Sequence, residues 1–594
     1  MALLLAMSLL GVQACKTVPV QEGGITPEAT PTEQVKQEIT LAPEVDEAID
    51  KVKEEEEAKE NEAEEEIVKT AVITLSDNGI TVDGTGCKVE GSCMKIKEAG
   101  VYEITGSLSD GSIYVNADKE SEVRLIFNGV NVHNETSAAL FCKKASKVTL
   151  TLAEGSENFL TDGADYVFEE GEDEPDATLF SKQDLIIDGS GKLTVTAAYG
   201  DAVKGKDSLY IMGGSLVVGG VEDGIIGKDL LYIGGGDVSV NVVKDALKST
   251  NDTNESLGNI VIEGGSAFLM AGEDGLQAEG SVSLRGGDIT VSAGDDGVHA
   301  ERVIRIEGDT KLSVTKSEEG IEAPEVVMDG GVIDVTAADD GVNAAGGDDT
   351  EAPMQNPFAE GVGEIVVNGG SLTVNAGGDG LDANGNITQN GGTVVVFGPT
   401  GGGNGVLDFG GAFCVNGGIL LAVGSSEMAQ TPSDTSGQSS LTAVLESAVQ
   451  AGSVLAVSVD GQSVLSKELP KRANFIAVSS GEMKDGATVT ITVDGEVACE
   501  EVLAEKVTVV GKLIGMGGFG NKGGFENRGG FGGHPGGERP DMPSGELPTA
   551  PDWNTDEMPD RNMDERPQMP EGGRMPRPDW NGELPQVPAE GMDA

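Results

Sequence analysis

Eight short acidic turns recur along the middle of this 594-residue chain, among them Glu222-Asp223-Gly224-Ile225, Glu273-Asp274-Gly275-Leu276, Asp295-Asp296-Gly297-Val298 and Asp339-Asp340-Gly341-Val342. Counted on the second residue of each, the steps are 22, 22, 29, 22, 23, 21 and 39 residues. If each step is one layer of a stacked repeat, Asp201, Asp223, Asp245, Asp274, Asp296, Glu319, Asp340 and Asp379 form one column. Glu222, Glu273, Asp295, Glu318 and Asp339 form its neighbour. Like charges stacked about 4.8 Å apart repel by roughly 1 kcal/mol in water and by several times more near a protein surface. A hard cation reverses that sign, because Ca2+ gathers six to eight oxygens and one ion reaches carboxylates of two layers. The position three residues after the column reads Lys204, Ile226, Lys248, Gln277, His299, Glu322, Asn343 and Asp382. Its later members add oxygens to the same turns, so the expected calcium ligands extend to Glu322, Asn343 and Asp382. For any single copy, Asp-Gly is simply a good turn pair. Paired acids repeated in register point instead to bound ions.

The elements needed to stack these turns are short strands. Gly-Gly pairs at 213, 235, 264, 286, 330, 369 and 391 keep the same beat, and between the landmarks lie alternating runs such as Ser215-Leu-Val-Val218 and Ile289-Thr-Val-Ser292. A period near 22 with two or three short strands per repeat predicts an all-β right-handed parallel β-helix over about residues 72–430. Val454-Leu-Ala-Val-Ser-Val and Ala487-Thr-Val-Thr-Ile-Thr-Val predict a small antiparallel unit within 440–510 that caps it.

Composition agrees with this architecture. Glycine supplies 88 residues and aromatics only 4%. With 101 Asp plus Glu against 39 Lys plus Arg, the formal net charge is -62, which excludes unaided binding to nucleic acid or anionic lipid. Residues 1–15 read as a secretory signal ending in Val12-Gln13-Ala14-Cys15, a sequence that resembles the bacterial lipobox. Lipidation of Cys15 would place the chain on the outer cell surface, with its membrane contact confined to that anchor. Residues 16–70 form an acidic linker whose block from Glu44 to Glu66 carries thirteen acids against three lysines, the pattern of a solvated, partly helical stalk. Residues 514–594 are dense in Gly, Pro and Met and are expected to be disordered, with Trp553 and Trp580 inside them. Cys87 and Cys93 are close enough to close a small disulfide loop or to remain buried thiols. Three scattered histidines argue against zinc.

Gly100-Val-Tyr-Glu-Ile-Thr-Gly106, Leu125-Ile-Phe-Asn-Gly-Val130, Phe180-Ser-Lys-Gln-Asp-Leu-Ile-Ile-Asp-Gly-Ser-Gly191, Asp245-Ala-Leu-Lys-Ser249 and the Asp-Gly turns together resemble the bacterial carbohydrate-binding-domain proteins. These fold as calcium-loaded right-handed parallel β-helices akin to family-nine pectate lyases, and the resemblance implies calcium-dependent binding of acidic plant-type polysaccharide. Scattered Tyr199, Tyr210, Tyr232, Phe268, Phe397 and Phe409 offer little for stacking neutral sugars. The expected ligand contacts are therefore ions around Asp295, Asp296 and His299, and around Asp339, Asp340 and Asn343. Insertions near Ser249–Gly258 and Gly346–Gly363 would wall a groove over the Asp296 turn. Two alternatives stand beside binding. One is a polysaccharide lyase, with Lys204, Lys244 or Lys248 as base; the other is a non-catalytic spacer or adhesin.

Overall fold

A computed structural model describes residues 41–61, 68–168, 170–345, 363–401 and 403–513. The signal and Cys15, most of the second insertion and the tail from 514 lie outside the described residues.

From Ala71 onward the described chain is built of strands. In the central repeats each period supplies three of them. Asp201–Gly205, Ser208–Ile211 and Ser215–Gly220 are followed by Ile225–Gly227, Leu230–Ile233 and Asp237–Val242. Each strand pairs in parallel with its counterpart one period on: Val203 with Ile225, Leu209 with Leu231, and Leu216 with Val238. The result is long sheets of parallel strands, one of them fourteen-stranded with a single antiparallel pair, Cys87–Glu90 with Cys93–Ile96, at its start.

The core follows from this register. Leu209, Leu231, Ile260, Val282, Ile304, Val326, Ile365, Ile387 and Phe413 are successive partners, and all are buried. Each aliphatic side chain contributes about 1.5–3 kcal/mol of transfer free energy, set against the entropy of ordering its layer. The glycine beat has a steric cause. Gly236 and Gly265 sit at φ 85° and 80°, and a Cβ on Gly236 would meet the carbonyl oxygen of Gly214 at 2.6 Å. Only glycine turns this corner against the layer beneath.

Beyond residue 415 antiparallel pairing joins the parallel pattern. Ile419–Gly424 pairs antiparallel with Ala473–Ser480, which pairs antiparallel with Ser440–Val449. A separate four-stranded antiparallel sheet holds Val454–Val459, Gln462–Glu468, Thr488–Val493 and Glu496–Val502.

The acidic linker departs from the solvated stalk expected of it. Pro43–Asn61 is a helix, with proline at its start and Glu44 and Asp46 in the first turn, where the helix dipole favours both. Val45, Ile49 and Val52 fall on one face and pack against Ile186, Tyr210, Leu230, Tyr232 and Val261 of the sheet. Around this contact Asp46 meets Arg285 at 2.7 Å, Lys53 meets Glu263 at 2.9 Å and Glu55 meets Lys147 at 2.6 Å. Charge density hid three buried aliphatic residues at helical spacing. The cysteines at 87, 93, 142, 414 and 499 are free thiols.

Candidate functional site

The acidic turns stack as one column. Gly224 N–H donates to the carbonyl of Asp245, Gly275 to Asp296, Gly320 to Asp340 and Gly341 to Asp379, each about one layer away. The column carboxylates also have a structural task. Asp201 accepts from the backbone N–H of Asp223 at 3.2 Å, Asp223 from Asp245 at 3.1 Å, Asp245 from Asp274 at 2.9 Å and Asp274 from Asp296 at 2.9 Å. Asp340 accepts from Asp379 at 2.5 Å, and Asp379 from Gly405. Each of these six rungs thus gains a charge-assisted hydrogen bond against the like-charge repulsion, so the ladder is less costly to folding than charge counting implies. Glu319, one methylene longer, leaves this pattern and accepts instead from Asn343 Nδ2 at 2.8 Å.

The neighbouring column, Glu222, Glu273, Asp295, Glu318 and Asp339, also stacks through backbone bonds, but these side chains face solvent or its edge. They are not drawn into the buried clusters. Asp295 and Asp339 therefore stand at the rim of the sites in which the sequence places them.

The third position decides the chemistry. In register it reads Tyr114, Phe141, Phe180, Lys204, Ile226, Lys248, Gln277, His299, Glu322, Asn343, Asp382 and Asp408. In the first half it neutralises the acids internally. Lys204 lies 2.8 Å from Asp201 and 2.7 Å from Asp176, and Lys248 lies 2.5 Å from Asp245 and 3.4 Å from Asp223. Lys244 reaches Glu222 at 3.4 Å. Burial alone would lower the pKa of these amines, but the surrounding carboxylates outweigh it and hold all three above the ordinary lysine value. All three lysines are protonated ion-pair partners of the acidic columns.

At the middle of the ladder His299 plays the same part. Its Nδ1 lies 3.0 Å from Asp296 and 3.2 Å from Glu322. Burial disfavours its charge, yet the hydrogen bonds and charges of both carboxylates push it up to about 11. Asp296, His299 and Glu322 can gather ligand atoms within 4.8 Å. With an imidazolium between its two acids, that cluster is partly neutralised from within.

The last rungs have no such partner. Asp340, Asp379 and Asp382 also present oxygens within 4.8 Å of one another, and among the described residues no ion pair reaches them. Burial first, then the neighbouring acids, pushes Asp340 up to about 6 and Asp379 and Asp382 up to about 7. Asp408, one layer on, is raised by burial and accepts from Gln430 Nε2 at 2.6 Å. Oxygens on opposite sides of an ion held at about 2.4 Å lie about 4.8 Å apart, so this donor set fits calcium in both spacing and hardness. Sequence reasoning missed Asp408 because its turn, Asn404-Gly405-Val406-Leu407-Asp408, has glycine at the column position. The register of Leu381 with Leu407 was the available signal.

The described insertion near Ser249–Gly258 is held by Arg302, which donates to the carbonyls of Glu255 and, at 3.0 Å, Leu257. The aromatics are less scattered than expected. Tyr166 stacks on Tyr199 with centroids 4.2 Å apart, and Tyr210 and Tyr232 lie under the N-terminal helix.

Comparison with known proteins gives three findings. A relative described as a carbohydrate-binding domain-containing protein, from Acetivibrio thermocellus, is 37% identical over 150 residues, 25% of this chain. The match spans 52% of the relative, so the chain covers about half its length. A solved structure described as a gadolinium derivative of the polysaccharide lyase-like protein from C. thermocellum is 33% identical, covering 40% of this chain and 96% of that one, with a TM-score of 0.39. The model of the family described as carbohydrate-binding domain-containing protein matches residues 90–352 and 295–488, well over half of the chain, which belongs to that family.

Proposed function

We propose that this chain is a cell-surface, calcium-dependent polysaccharide-binding protein for acidic glycans of the polygalacturonate kind. Its parallel strands would wind as a right-handed β-helix, held at the membrane by a lipidated Cys15. The observation that carries the reading is the group Asp340, Asp379 and Asp382: three part-buried carboxylates whose oxygens gather within one coordination sphere while no described cation compensates them. Asp408 and Asn343 occupy the adjoining third-position layers and supply further oxygen. Calcium, when bound, supplies positive charge and coordination positions that a uronate carboxylate can share. The residues themselves orient their oxygens through the rung hydrogen bonds and set an anionic rim, Asp339, that admits cations.

The site proposed around Asp295, Asp296 and His299 becomes secondary, because His299 already serves as its cation. Lyase chemistry is not favoured, since Lys204, Lys244 and Lys248 are committed to carboxylates. Calorimetric titration with calcium tests the reading. Wild type should show saturable binding that weakens at least about tenfold in Asp379→Asn/Asp382→Asn, the loss of two charged ligands costing about 1.4 kcal/mol or more together. Equal calcium affinity in the two proteins would remove the assignment.

A further inference from the structure

The outward face that ends in the carboxylate cluster begins with aromatic rings and lysines. Phe141 stands between Tyr114 and Phe180, with centroids 5.3 and 5.6 Å away and edges turned toward each other. The residue after the last paired position of four successive strands is lysine in each case. Lys143 follows Cys142, Lys182 follows Ser181, Lys206 follows Gly205 and Lys228 follows Gly227. Backbone bonds from Lys182 to Cys142, Lys206 to Ser181 and Lys228 to Gly205 keep them in one column. Residues two apart on a strand share a face, so Phe141 and Lys143 present ring and ammonium side by side. Further along, the same column turns to Glu279 and Glu301, whose N–H groups bond to Ser249 and Ala278.

Four stacked lysines are unusual in a chain of net charge -62. Their mutual repulsion is only partly relieved. Glu174 sits 2.6 Å from both Lys182 and Lys206, while Lys143 and Lys228 make no ion pair among the described residues. Against the cost of its own burial, those two lysines hold Glu174 below the usual carboxylate range. The strip therefore already holds one carboxylate between two rungs, with a rung that makes no ion pair among the described residues on either side. Three acids follow the lysines: Asp184 accepts from the Ser208 N–H and Asp229 from the Asn251 amide, while Asp207, raised by burial and by those two acids, lies within the field of Lys228.

We propose that the strip of Tyr114, Phe141, Lys143, Lys182, Lys206 and Lys228 is a second, metal-independent binding site for a uronate polymer. Sugar carboxylates pair with the lysine column, and the apolar C–H face of a pyranose ring covers the exposed part of Phe141. The ligand class rests on the function proposed above, but the site shares no residue with the carboxylate cluster. A polymer lying along the face would be held by lysine and aromatic contacts at one end and through the carboxylate cluster at the other.

The test is binding of the full chain to polygalacturonate in excess chelator at low salt. Wild type should retain a salt-sensitive component that Lys143→Glu/Lys228→Glu weakens about tenfold or more, charge reversal acting on contacts that salt screens. Lys143→Gln/Lys228→Gln should weaken it less, with unchanged thermal melting reporting an intact fold, and fully methyl-esterified polymer should not bind. Asp379→Asn/Asp382→Asn should leave this component unchanged while abolishing the calcium-dependent gain. Absence of wild-type binding in chelator, or equal binding by the lysine variants, overturns the strip. A wild type that binds in chelator but gains nothing from calcium would count against the carboxylate cluster and leave the strip standing.

Discussion

Replacing Asp382 by asparagine should stabilise the metal-free protein and destabilise the calcium-loaded one. Asp382 is pushed up to about 7 from 3.8, by burial first and then by Asp408, Asp379 and Asp340. Its folded pKa is raised, so its favourable contribution is complete below about pH 3.8 and is lost as the pH rises through about 7. Taken alone, the shift corresponds to about 4 kcal/mol. Because the neighbouring charges create part of it, and titrate together with it, about 2 kcal/mol is the expected loss for this residue between pH 5 and 8. In chelator, Asp382→Asn should remove that loss and also relieve Asp379 and Asp340, raising the Tm at pH 8 by about 2–4 °C relative to wild type, with little difference at pH 5. In calcium at 100 times its Kd, wild type should gain about 2.7 kcal/mol, and the variant should gain less because a ligand is gone. Differential scanning calorimetry at both pH values, with and without calcium, reads all four states. A wild-type Tm in chelator that does not fall between pH 5 and 8, or an equal calcium gain in the variant, would refute the reasoning.

Elsewhere on the ladder the expected signs differ. His299→Ala should leave Asp296 and Glu322 facing each other without a cation, lowering stability by about 2 kcal/mol in chelator, and calcium should restore more of it than in wild type; the measurement is again the melting curve. Lys248→Ala should destabilise by about 1–3 kcal/mol in denaturant titration, through the unpaired Asp245, while leaving calcium-dependent polysaccharide binding within about twofold. Ile49→Asp places a charge in the buried helix contact and should release residues 43–61 for protease cleavage, with a cost of about 2–4 kcal/mol and no loss of strand signal in circular dichroism.

Much of the architecture could be read from spacing, because the 22-residue step is the layer itself: Val203 to Ile225 and Leu209 to Leu231 are period and strand pairing at once. The stacking of Asp201 to Asp379 followed from the same beat. What the carboxylates do did not follow, since it depends on which neighbour faces them. Lys204, Lys248 and His299 close the early rungs, whereas Asp382 and Asp408 leave the last ones open, and the two kinds of turn read alike in one dimension. Asp408 escaped notice for want of an acid at Gly405. The lysine column was present at the same period, but in a sequence of this charge the eye follows the acids. Tyr114, Phe141 and Phe180 lie 27 and 39 residues apart, intervals less regular than the later ones, so their stacking is a product of register alone. The docking of the helix at Pro43–Asn61 was obscured for a different reason: three aliphatic residues on one face suffice to dock it, and acids surround them on the others.

The most direct test is the calcium dependence of polygalacturonate binding by wild type and by Asp379→Asn/Asp382→Asn, measured side by side at fixed salt. Calcium should raise the wild-type affinity at least about tenfold, or about 1.4 kcal/mol, and leave the variant at its chelator value. A variant that gains as much from calcium as wild type would contradict the assignment of the Asp340, Asp379 and Asp382 cluster as the site through which calcium serves binding.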